Sequence, residues 1–267
     1  GQWEEMTMSL MRYREQKYIY GNYMEVNMYP VYACPRSSSR KKKRKPTSKV
    51  QERLNQINAE RALARLIPAN FTDKDYKFEL TYAPQNNPAD LERAKKDFAN
   101  FVKRVNRARV KRGLPRMKYI YSIEQGSKSG RIHFHVIMTG GLTINEIASI
   151  WGKGYVDKVL PLMFDQTGCA GIAKYFCKQK ISDQNNGKHA KRYVASTNCV
   201  KPQPQNNDYR LTKRAVQSMA YNCDNPALFE NMYQDYYYAD CRPFWNEDNG
   251  TFYISLFMYR RTAKLNI

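Results

Sequence analysis

The sequence predicts an α+β fold in which helices cover one face of a central antiparallel sheet. Three observations carry this. Between residues 76 and 159, short segments alternate apolar and polar side chains with the period of two that strands require. The segments between them carry apolar stripes at helical spacing. Hydrophobic residues form 42% of the chain and aromatics 13%, enough to bury a core despite a formal charge of +21.

Taken in order, residues 1–33 contain short alternating runs, such as Met24-Glu25-Val26-Asn27-Met28-Tyr29, that predict one or two strands. Pro35 to Lys45 has no apolar content beyond its proline and reads as a solvated basic arm. Thr47 to Ile67 predicts a helix, with Ala59, Ala62, Leu63 and Leu66 on one stripe, a shorter stripe of Val50, Leu54 and Ile57, and Pro68 as its end. Tyr76 to Tyr82 alternates as a strand. Pro88 to Arg112 predicts a helix whose stripe is Leu91, Ala94, Phe98, Phe101, Val102 and Val105. Lys118–Glu124 and Arg131–Thr139 form a hairpin around the turn 125–130. Thr143 to Trp151 is a short helix with a capping box from Thr143 to Glu146. A strand at Gly154–Val159 and a helix at Gly168–Lys180 follow, and residues 206–267 predict a further α+β piece with a strand at Thr251–Tyr259.

From residue 76 the order is strand, helix, strand, strand, helix, strand, then an extra helix. The first six elements match the split β-α-β arrangement of ferredoxin-like and RNA-recognition-like folds. The expected organisation is an N-terminal segment with its basic arm (1–46), a central domain (47–205) and a C-terminal extension (206–267).

Forty-five Lys and Arg oppose 24 Asp and Glu. Such a surplus repels itself unless an anionic partner compensates it, and nucleic acid is the expected partner. The charge is uneven: residues 36–65 hold 11 Lys or Arg against Glu52 and Glu60. Basic residues also crowd the 88–112 helix, among them Lys96, Lys103, Arg104 and Arg107, and Lys174 and Arg192 lie near the last central helix. Tyr119, Tyr121 and Tyr155 are candidates for base stacking, with core packing as the alternative. Six cysteines show no CxxC pair, so buried reduced thiols are expected rather than a zinc knuckle or disulfide framework. No apolar run is long enough to span a membrane and no secretory signal is visible, which leads to a cytoplasmic expectation.

The chemistry centres on His133 and His135, two of only three histidines. Alternate strand residues share a face, so both imidazoles project together and form a two-nitrogen site for a metal. Two half-buried histidines on a sheet surface is the plainer reading and stands beside it. Glu124 ends the preceding strand of the hairpin and offers a third, oxygen ligand. Two nitrogens, one carboxylate and open positions suit Mg²⁺ or Mn²⁺. Tyr175 and Lys178, three residues apart on the last central helix, place a phenol beside an ammonium. Spacing alone also allows Tyr175 to pack and Lys178 to be solvated.

The blocks FELTY (78–82), HFH (133–135) and YFCK (175–178) occur in that order, with IEQG (123–126) ahead of the second. Together they resemble the HUH replication initiators of rolling-circle plasmids, prophages and single-stranded DNA phages. NAERALARLIPANF (58–71) is similar to those of prophages and plasmids. The resemblance covers residues 47–205. It implies an HUH endonuclease fold, a metal-dependent DNA nickase and strand transferase, and a divalent ion held by His133, His135 and Glu124. It implies that Tyr175 attacks a phosphate of single-stranded origin DNA, leaving a 5′-phosphotyrosine and a free 3′-OH, with Lys178 steadying the phosphate. Gln179 stands where two-tyrosine members carry a second tyrosine, which implies the single-tyrosine type. No Gly-x-x-x-x-Gly-Lys-[Ser/Thr] motif occurs, so a host helicase and polymerase in a bacterial cytoplasm are implied partners. A non-catalytic nucleic-acid-binding module and an HUH transposase are the alternatives.

Overall fold

The computed structural model describes residues 11–32, 49–126, 130–178 and 191–265. The arm at Pro35–Lys45, the tip of the 125–130 turn and Gln179 lie outside them. The chain divides into two units, one of residues 54–164 and 169–201, the other of residues 1–53, 165–168 and 202–267.

The central unit begins in helix α1 (Lys49–Asn70). The sequence expectation ends this helix at Pro68, yet it continues to Asn70. Proline removes only its own N–H donor. Beyond it, the Asn70 side chain donates to Leu66 O at 2.9 Å, and Phe71 N donates to Ile67 O at 2.9 Å. Leu63, Leu66 and Ile67 are buried, whereas Leu54 and Ile57 of the shorter stripe are exposed.

Strand β3 (Tyr76–Tyr82), helix α2 (Leu91–Lys111), strands β4 (Tyr119–Gln125) and β5 (Ile132–Met138), helix α3 (Ile144–Trp151) and strand β6 (Gly154–Pro161) follow. Helix α4 (Ala170–Phe176) and the short strand β7 (Val194–Ala195) complete the unit. The sheet order is β6-β3-β5-β4-β7, and every pair is antiparallel. Its first four positions are those of the split β-α-β arrangement, with β5 inserted between β3 and β4.

The two faces of this sheet differ as strand parity dictates. Phe78, Leu80, Tyr82, Tyr121, Ile123, Phe134 and Val136 form one core with Phe98 and Phe101 of α2 and Trp151 of α3. Asp90 caps α2 by accepting from Arg93 N at 2.7 Å, and Thr143 and Glu146 form the expected capping box of α3. Gly154 fits against β3 because a Cβ there would lie 2.1 Å from Thr81 O. Helix α4 lies on the other face, with its Phe176 ring 6.1 Å from that of His135.

The second unit is a sheet of order β8-β1-β2-β10-β9, built from β1 (Met11–Tyr20), β2 (Tyr23–Tyr32), β8 (Gln205–Leu211), β9 (Tyr236–Asn246) and β10 (Thr251–Arg260). Helices α5 (Lys213–Tyr221) and α6 (Pro226–Met232) belong to it. Val26, Met28 and Leu256 pack with Val216 and Phe229. The sequence reading keeps the N- and C-terminal segments apart; the structure pairs β2 with β10 and β1 with β8 in one sheet. Register between segments so distant leaves no local signature. Cys223 and Cys241 form a disulfide, which corrects the expectation of reduced thiols for that pair. Cys169, Cys177 and Cys199 are free and buried.

Candidate metal and tyrosine site

The site is laid out in rows across four strands. Tyr155, Thr81, His133 and Glu124 are consecutive cross-strand partners from β6 to β4. Asp157, Glu79, His135 and Ser122 form the next row. Partners in register share a face, so both histidines, Glu79 and Glu124 project on the side away from α2. Phe134, between the histidines, is fully buried in the core behind them.

Glu124 Oε2 lies 2.9 Å from His135 Nε2 and 3.4 Å from His133 Nε2. The Nε2 atoms of both histidines therefore converge on one carboxylate oxygen. The other nitrogen of His135, Nδ1, lies 3.2 Å from Glu79 Oε1. His135 is 4% exposed and Glu79 7%, so these contacts act with little water between them. Burial lowers the His135 pKa, and the repulsion of His133 adds to that against the two carboxylates. The neutral ring is the form that binds metal. Burial works to raise the Glu124 pKa, but hydrogen bonds and charge from the two histidines hold it below the usual carboxylate value.

Ligand atoms of Glu79, His133 and His135 all lie within 4.8 Å of one another, so that trio is a second possible donor set. We favour Glu124 as the carboxylate ligand. It is the acid toward which both Nε2 atoms point, whereas Glu79 meets only Nδ1 of His135 and already accepts from Lys158 Nζ at 3.0 Å. An acid on the far nitrogen of a ligating histidine fixes its tautomer and orientation. Sequence reasoning overlooks Glu79, although period two sets it on the site face, because only the register brings it to His135.

Tyr175 sits on α4 above this group. Its hydroxyl is 3.4 Å from Glu79 Oε1, to which it donates, and 3.5 Å from His135 Nδ1. The ring lies 4.8 Å from that of His135, with Lys77 Nζ 4.9 Å from the Tyr175 ring centroid. Burial and the Glu79 carboxylate raise the phenol pKa, while Lys158 opposes them. At neutral pH the hydroxyl keeps its proton, with Glu79 placed to accept it.

The other expected residues fall elsewhere. Lys178 and Lys174 are exposed at the end of α4 and form no side-chain ion pair among the described residues. Lys96, Lys103 and Arg107 are exposed on α2, which covers the opposite face from the histidines. Arg104 bonds the carbonyls of Ile150 and Trp151 at the end of α3. Arg192 donates to Cys177 O at 2.8 Å and so holds the end of α4. Tyr119 and Tyr121 pack on Phe98 in the core, so neither is open to a base; Tyr155, 59% exposed, lies in the His133 row. No helix among the described residues is long and apolar enough to cross a membrane.

No curated protein and no solved structure matches the chain. Residues 76–180, from β3 to just beyond α4 and including every residue of the site above, match the model of the replication-associated protein family named for ORF2.

Proposed function

We propose that the chain is a rolling-circle replication initiator of the HUH, single-tyrosine type that nicks and rejoins single-stranded DNA at a replication origin. The observation that carries this is the Tyr175 hydroxyl, 3.5 Å from Nδ1 of His135, the ring whose Nε2 converges with that of His133 on Glu124. A nucleophile and a two-histidine, one-carboxylate donor set are then one imidazole apart. The match of residues 76–180 supports the same reading.

The donor set of His133, His135 and Glu124 fits Mg²⁺ or Mn²⁺, which would supply charge to offset that developing on the phosphate oxygens. The protein's own groups do the rest. Tyr175 Oη attacks the phosphorus, the phosphorus–O3′ bond breaks, and the strand keeps a 5′-phosphotyrosine and a free 3′-OH. The phenol proton passes toward Glu79, and the departing O3′ takes one from solvent. Attack by a 3′-OH reverses the step and rejoins the strand. Lys178 and Lys174, beside Tyr175 on α4, and the basic residues of α2 bind flanking phosphates, while host helicase and polymerase open and copy the duplex.

Incubation with single-stranded DNA carrying the replicon's own origin and Mn²⁺ tests this. A denaturant-resistant protein–DNA adduct is expected, lost in Tyr175→Phe and in His133→Ala. An adduct that persists in Tyr175→Phe overturns the nucleophile. Binding without any cleavage favours the non-catalytic module instead.

A further inference from the structure

Strand β6 departs from regular pairing beside the site. Asp157 faces Glu79 and Leu160 faces Lys77, so three steps along β6 span two along β3. One extra residue is accommodated there, which is a β-bulge. Its effect is visible in the side chains. Val156 and Val159 both pack on the central core, although an odd separation places such residues on opposite faces of a regular strand. Asp157 and Lys158, between them, are both exposed. Lys158 has φ of 49°, the one positive value at a non-glycine among the described residues. Its Nζ reaches Glu79 Oε1, which also receives the Tyr175 hydroxyl.

We propose that Lys158 is a phosphate-binding residue of the single-stranded DNA site, turned onto the tyrosine's face by this bulge. The proposal deepens the nicking assignment and rests on it for the choice of nucleic acid. Three features support it. The lysine side chain is 70% exposed, so its ammonium is open to a ligand while it touches the buried carboxylate. Its three donors allow it to keep Glu79 and take a phosphate oxygen. The carboxylate also raises its pKa, which keeps it charged.

A purely structural ion pair accounts for the arrangement poorly. An exposed lysine adds little stability through one ion pair. A left-handed backbone is adopted readily by glycine or asparagine and rarely by lysine. Strain of this kind gathers where a side chain must be aimed. The two neighbouring polar groups are already engaged with each other, Thr81 Oγ1 donating to Asp157 Oδ2 at 3.0 Å. Lys77 lies against the Tyr175 ring. Lys158 is thus the cation nearest the hydroxyl end of the phenol with an open side.

The test measures binding of a fluorescein-labelled oligothymidylate, with Mn²⁺ present, across a KCl series. Each phosphate contact contributes about 0.7 to the slope of log K against log salt for a single strand. Lys158→Met is expected to lower that slope by about 0.7, and Lys158→Arg to retain it. Adduct formation on origin DNA should slow in Lys158→Met and recover in Lys158→Arg. A wild-type slope in Lys158→Met overturns the proposal, whatever happens to nicking or to the melting temperature. A lowered slope in a protein that forms no adduct keeps the phosphate contact and rejects the nicking assignment instead.

Discussion

Glu79 and His135 face one another across β3 and β5, with Glu79 Oε1 3.2 Å from the Nδ1 of a ring whose Nε2 meets Glu124. The buried acid fixes which nitrogen carries the proton and which is free to ligate. Glu79→Ala should therefore weaken Mn²⁺ binding by about 10- to 100-fold, the usual effect of losing such a partner. Calorimetric titration with Mn²⁺ measures it, and unaltered affinity would show that the ring needs no such support.

Removing a ligand should act more severely. Glu124 and His133 are partly exposed, so Glu124→Ala and His133→Ala leave the core intact. Both should abolish measurable Mn²⁺ binding while circular dichroism and the melting temperature stay near those of the parent. A variant that binds the ion as the parent does would move the ligand role to the Glu79 trio.

Phe134 is the core residue directly behind the histidines, fully buried and packed against Phe98, Tyr121 and Trp151. Phe134→Ala should cost about 3–5 kcal/mol of unfolding free energy in urea. The cavity would also loosen the strand between His133 and His135, so metal affinity should fall with it. A loss below about 1 kcal/mol would mean that the core refills the space.

The Arg14 guanidinium bonds Asp208 through two nitrogens at 2.7 Å, joining β1 to β8. This hydrogen bond, together with the arginine's charge, holds the Asp208 pKa below the usual carboxylate value, against a smaller opposing effect of desolvation. The folded state then binds that proton less readily than the unfolded chain. The stabilisation is present above the unfolded pKa of about 4 and is lost as pH falls through the depressed folded value. Arg14→Met should lower the melting temperature at neutral pH and flatten its decline in acid. An unchanged acid limb would show that the pair contributes nothing to stability.

Much of the central unit is legible in the sequence because its cues are local. Period two sets His133 and His135 on one face with Phe134 behind them, and Thr143 with Glu146 marks the start of α3. Glu124 is within reach because the hairpin pairs it directly with His133. What stays hidden depends on register. Glu79 meets His135 only through the β3–β5 pairing, and Lys158 reaches the site only through a bulge that strand alternation does not anticipate. Tyr119 and Tyr121 look like stacking residues by composition, but parity with Ile123 turns them into the core. The union of β2 with β10 is invisible for the same reason, since the partners are almost the whole chain apart.

That last pairing sets an order of events during synthesis. Met24 cannot find Met258 until the ribosome has made nearly all of the protein, whereas every strand of the metal-and-tyrosine unit is finished by Ala195. Contacts so remote in sequence close slowly, and domains completed earlier fold earlier. The nascent chain should therefore assemble its reactive half first and carry β1 and β2 as an unfinished edge until the final strand arrives.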